Sequence, residues 1–172
     1  MPIEVWARIL RKGGIYLAGE TVNCEIVVSN KKSRKSGEDK VENLAWCSIQ
    51  LLCQEVLNSQ KINSARALEL RNQKAKAMAG TTGSTSFAPS KGENGFTVYS
   101  SRPDIIFCDL ELLPGEIKKY KYSEMLPADD VPPSYKGPAV KYLYKLTVGV
   151  QHVNSTVKLL RVPFRILALS GI

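Results

Sequence analysis

The stretch from Leu126 to Gln151, LPADDVPPSYKGPAVKYLYKLTVGVQ, constrains the fold of this chain more than any other. Pro127, Pro132, Pro133 and Pro138 each lack a backbone donor and hold φ fixed, and Gly137 sits beside the last of them. That half is expected to be a stiffened loop without regular structure. The second half is patterned as a strand. Val140, Tyr142, Tyr144, Leu146, Val148 and Val150 share one parity, and Lys141, Lys145, Thr147 and Gln151 share the other, with Leu143 and Gly149 as exceptions. A period of two over that length, rich in β-branched and aromatic residues, predicts a long half-buried strand.

The rest of the chain repeats the theme. Ile3, Val5, Ala7 and Ile9 alternate with Glu4, Trp6 and Arg8, and Arg11-Lys12-Gly13-Gly14 follows as a turn. Tyr16 to Glu20 is a short extended piece. Val22, Cys24, Ile26 and Val28 form a second strand, and Leu44 to Val56 a third, with Cys47, Ile49, Leu51 and Cys53 on one face. Trp46 falls on the polar parity of that strand and is expected to cap packing near a sheet edge. Further strands are expected around Ile106–Leu112, Ile117–Ser123 and Leu160–Ile166. Pro114-Gly115 marks a type II turn, and Pro163 implies an edge or a bulge. All four cysteines, Cys24, Cys47, Cys53 and Cys108, lie on apolar parities and are expected in the core as free thiols.

Between Asn58 and Gly95 the alternation is lost. Ser64–Ala79 is rich in helix formers without an apolar stripe, and Gly80–Gly95 is dense in Gly, Ser and Thr. An insertion at 58–95, disordered or partly helical, is the expectation. About eight strands with turns between them make an all-β sandwich, a single domain over residues 1–172.

Composition narrows function. Hydrophobic content of 44% and charged content of 23% suit a soluble globular chain. No apolar run reaches the roughly twenty residues of a membrane-spanning helix. The opening MPIEVWARIL lacks a basic leader, so a cytoplasmic location is expected. Net charge is +8, of which +7 lies in residues 31–40 and 61–80. No aromatic residue is interleaved with these charges and no nucleic-acid motif accompanies them. They read either as solvated loops or as a contact for an acidic partner or an anionic membrane surface, with Lys31, Lys32, Arg34 and Lys35 as the partner-binding candidates. No catalytic, cofactor or metal site is expected. The single histidine, His152, reads as an exposed strand-end residue with no carboxylate nearby in sequence, and no Cys-x-x-Cys pair occurs.

Four pieces, in order, resemble the N-terminal domain of the arrestin fold. They are Tyr16-x-x-Gly19-Glu20-x-Val22-x-Cys24-x-Ile26-x-Val28-x-Asn30, then Leu113-Pro114-Gly115-Glu116, then Leu126-Pro127, and finally Pro132-Pro133-Ser134-Tyr135 leading into Val140-Lys141-Tyr142. The segments PDIIFCDLELLPGE, YKYSEMLP, PPSYKGPAVKYLYKLTVG and VNSTVKLLRVPFRIL are similar to the Rgp subunits of the two-protein Ric–Rgp exchange factor for a Golgi Rab GTPase. The resemblance implies an arrestin-like, immunoglobulin-like β-sandwich. It implies partnership with a large Ric-type β-propeller subunit and a Golgi Rab GTPase, peripheral association with Golgi membranes, and a non-catalytic scaffold role in Golgi retrograde trafficking. A cargo or trafficking adaptor of arrestin type, independent of any GTPase, is the alternative.

Overall fold

A computed structural model describes residues 3–31, 40–58, 60–62, 95–129 and 131–167. The insertion expected at 58–95 falls almost wholly outside them. Within the described residues the chain is all-β: β1 (Ile3–Ile9), β2 (Ile15–Leu17), β3 (Thr21–Asn30), β4 (Glu42–Leu57), β5 (Phe96–Ser100), β6 (Asp104–Leu112), β7 (Ile117–Met125), β8 (Tyr135–Lys136), β9 (Val140–His152) and β10 (Lys158–Leu167). They form two sheets. One has the order β1-β3-β7, and the other β2-β10-β9-β4-β5, with β6 also on β4 and β8 also on β9. Tyr16, Val22, Cys24, Ile26, Val28, Tyr122, Leu51, Leu146, Val148 and Ile166 contribute to a single core cluster.

β9 and β4 form the spine, paired antiparallel from Leu44–His152 to Leu57–Val140. The predicted strand is present, but it is buried on both parities: Thr147 is 1% exposed, and Ser48 and Gln50 of β4 are buried beside it. The alternation therefore marked which side chains reach the core, not which face meets solvent. β5 and β6 lie end to end along the same edge of β4, separated at Ser101–Pro103. Buried Ser101 seals the break. Its hydroxyl oxygen accepts from Leu51 N–H at 3.0 Å, and its carbonyl accepts from Gln50 Nε2 at 2.7 Å.

Bulges explain where parity misled. β4 slips register against β9 between Leu44 and Trp46, and in β6 the facing Asp109 has φ 49°. An extra residue per strand swaps inside for outside beyond it. Leu110 and Leu112 stay buried, whereas Cys108 is exposed, so three cysteines and not four belong to the core. Trp46 likewise sits on a central strand, not near a sheet edge, and its Nε1–H donates to Gln151 Oε1 at 2.7 Å.

Two Leu-x-Gly-Glu turns are built alike. Gly19 (φ 82°) and Gly115 (φ 80°) occupy the left-handed position that a type II turn requires. Glu20 N–H donates to Leu17 O at 3.1 Å and Glu116 N–H to Leu113 O at 2.9 Å. Each glutamate carboxylate then accepts from the leucine N–H three residues back, at 2.7 Å and 2.8 Å. Pro163 is an edge residue as expected. Arg165 N–H donates to Gly14 O on the β2 side, so Pro163, on the same parity, turns its missing donor to a stretch of β10 that β2 does not reach.

The proline-rich segment is pinned to this frame. Leu126 N–H donates to Glu20 O at 2.8 Å, and Tyr144 O–H donates to Pro132 O at 2.6 Å. It is not wholly irregular, because Tyr135 and Lys136 pair with Tyr142 and Lys141.

Candidate interaction surface

The sandwich is open along one flank. β1 is the edge of the smaller sheet, and its inward residues are only half-buried because no further strand covers them. Between β1 and the facing larger sheet lies a cleft of about 490 Å³. Ile3, Val5, Leu44, Val150 and Leu160 give it an apolar floor. Glu4, Glu42, His152 and Lys158 give it a charged rim.

Lys31 is tied to this rim through Glu4. Its Nζ lies 2.6 Å from Glu4 Oε1, with both side chains more than half exposed. Such a pair contributes under about 1 kcal/mol to stability, so Lys31 can exchange Glu4 for an outside acid at little cost. Of the four basic residues singled out from the sequence, Lys31 alone is described, paired with Glu4. Lys32, Arg34 and Lys35 lie outside the described residues.

His152 is not the isolated, exposed residue expected from the sequence. Its Nε2 is 2.6 Å from Glu42 Oε2, and its Nδ1 is 2.8 Å from Val153 O. Both ring nitrogens thus have oxygen partners in the fold. The pair spans 110 positions in sequence, so no local spacing could announce it. Covalent acyl or phosphoryl transfer through such a pair would need a side-chain nucleophile beside it. The residues lining the cleft include no serine, threonine or cysteine. The pair fastens the start of β4 to the end of β9 at the cleft mouth.

Burial raises the thiol pKa of Cys24 and Cys53 to about 11 and that of Cys47 to about 12, which makes them poor nucleophiles. Among the described residues, no group of three or more His, Cys, Asp or Glu could hold a metal ion. No described helix is long and apolar enough to cross a membrane.

A cleft with an apolar floor and a charged rim suits protein recognition. The model of the Rgp1 family matches residues 11–169. The chain belongs to the Rgp1 family. It is 42% identical over 170 residues to "RAB6A-GEF complex partner protein 2" of Homo sapiens, covering 99% of this chain and 42% of that protein. The protein of the same description from Bos taurus is 42% identical over 176 residues, covering 99% of this chain and 41% of its own length. The chain thus spans about two fifths of these family members. Among solved structures, the sporulation control protein Spo0M of Bacillus subtilis superposes with a TM-score of 0.56 at 11% identity, over 96% of this chain and 49% of that one. That likeness concerns the β-sandwich fold alone.

Proposed function

We propose that this chain is a non-catalytic scaffold domain of arrestin type in a Rab guanine nucleotide exchange complex. It acts at the cytoplasmic face of the Golgi in retrograde trafficking, joined to a Ric-type β-propeller subunit and a Golgi Rab GTPase. The observation that carries this reading is the 42% identity, over almost the whole chain, to proteins described as partners in a RAB6A exchange complex. The open flank supports it: an edge strand, an apolar floor and a rim of paired charges can accept a protein surface without bond chemistry.

Exchange requires an intruding surface that weakens nucleotide contacts, so the role left to this domain is assembly. The basic residues Lys31, Lys32, Arg34 and Lys35 are the contact we assign to an acidic partner surface. Affinity capture of a tagged chain from cell extract tests the reading. Recovery of a β-propeller subunit, with a Rab enriched when nucleotide is removed, is the expected result. Replacing the four basic residues with glutamate should weaken capture, most strongly at low salt. Recovery of coat or cargo-receptor proteins without either would favour an adaptor instead.

A further inference from the structure

At the end of the sandwich away from the cleft, β10 parts from β9. The two pair from Lys158–Val150 to Phe164–Tyr144, and no further. Beyond that point Ser134 stands between them: its N–H donates to Ile166 O at 2.8 Å, and its hydroxyl oxygen accepts from Ile166 N–H at 2.9 Å. A hollow of about 620 Å³ opens where the strands separate, within the size range of small-ligand sites. Lys136, Lys145 and Arg165 line it together with Ser134, Tyr135 and Tyr142, and the lining includes no aspartate or glutamate. Exposed Lys141, the pairing partner of Lys136, adds a further cation beside it.

This clustering does not follow from composition. Outside residues 31–40 and 61–80 the chain has a net charge of only +1. Lys145 also shows the effect of its surroundings. Its Nζ donates to Gln54 Oε1 at 2.6 Å, while burial, and then the neighbouring Arg161 cation, lowers its pKa to about 8, so a bound anion would add to that hydrogen bond in favouring the charged form.

The borders of the hollow are apolar. Ile15 and Leu17 of β2 lie beside Arg165 and Leu167 in parallel register. Ile15, Leu17, Tyr135 and Leu167 are 44%, 36%, 50% and 48% exposed. Cations of one sign ringed by exposed aliphatic and aromatic side chains match the layering of a membrane surface, with phosphates above and acyl chains below.

We propose that this face docks on an anionic phospholipid surface. The hollow receives a phosphate-bearing headgroup between Lys136, Lys145 and Arg165, and Ile15, Leu17, Tyr135 and Leu167 rest at the boundary with the acyl chains. This deepens the peripheral Golgi association proposed above, and it places the contact at the far end of the sandwich from the protein-binding cleft, so that both could be engaged together.

The test is co-sedimentation of the chain with phosphatidylcholine vesicles, with and without phosphatidylserine. The wild-type chain should pellet with the anionic vesicles only. Each basic residue near such a surface strengthens binding roughly fivefold, so Lys136→Glu/Lys141→Glu/Arg165→Glu, which removes three cations and adds three anions, should weaken it by at least about a hundredfold. Lys119→Glu/Lys121→Glu, on the outer face of the other sheet, should leave binding unchanged. Leu17→Ser/Leu167→Ser should weaken it even at salt concentrations that screen the charges. Failure of the wild-type chain to bind would overturn the proposal, as would equal losses in the two charge-reversal variants. So would capture of an acidic protein segment by this face without any vesicle binding. A chain that recovers its β-propeller partner yet ignores vesicles refutes the membrane face alone and leaves the scaffold reading standing.

Discussion

Asn30 closes the second strand and is 2% exposed, and its side chain ties three parts of the fold together. Nδ2 donates to Lys40 O at 2.9 Å and to Leu112 O at 3.0 Å, while its backbone N–H donates to Glu116 O at 3.0 Å and its carbonyl accepts from Gly115 N–H at 2.7 Å. Asn30→Asp keeps the shape and exchanges the donor for an acceptor. Two hydrogen bonds of about 1 kcal/mol each are lost, and a buried carbonyl left without a donor costs about 1–2 kcal/mol more, so we expect a loss of about 3–4 kcal/mol at neutral pH. That is a large part of the 5–15 kcal/mol that holds a typical domain folded. Urea denaturation should show a lower midpoint at unchanged slope. The sign of its pH dependence is fixed. Burial against carbonyl oxygens raises the acid's folded pKa above its unfolded one, so the deficit is full above the folded pKa and shrinks as pH falls through it. A loss under about 1 kcal/mol, or a deficit that deepens on acidification, would refute the assigned role of the amide.

Other perturbations separate burial from backbone and charge effects. A thiol reagent should modify Cys108 promptly in the folded chain, with Cys24, Cys47 and Cys53 reacting only on unfolding, as peptide mapping would reveal. Gly95 has φ 112°, and a Cβ there would lie 2.4 Å from Glu55 O, whereas Gly13 at φ 83° has open space around it. Gly13→Ala should therefore cost about 1 kcal/mol and Gly95→Ala clearly more, measured by thermal melting. Lys145 is held at about 8, so between there and the ordinary lysine value of about 10.4 the unfolded chain binds more protons. Native stability should rise with pH across that window relative to Lys145→Met, and parallel urea midpoints for the two proteins would contradict the shift.

Much of the fold was legible because it rests on local rules. Period-two runs located the strands that line the core, and Pro114-Gly115 announced a turn whose geometry needs glycine at φ 80°. β5 and β8 escaped notice for different reasons. β5 is five residues beside a long glycine- and serine-rich run, and β8 is a two-residue pair inside a proline-rich stretch. Cys108 was misplaced because the left-handed backbone at Asp109, beside the register shift of β4 on β9, is invisible to strict alternation. The cleft was less legible still. Its Glu42–His152 contact joins residues far apart in the chain, and only the order of the strands brings them together. The basic face at β8, β9 and β10 had no signature either, since Lys136, Lys145 and Arg165 come from three strands and converge only where β10 leaves β9.

The central claim is that this chain works by holding proteins together. Its most direct test is the rate at which purified Golgi Rab releases fluorescent GDP, measured with the chain, with the β-propeller subunit, and with both. We expect the chain alone to leave release at the background rate, and its addition to the β-propeller subunit to raise release above that subunit's own rate. Acceleration by the chain alone, or no change when it joins the subunit, would contradict the scaffold role.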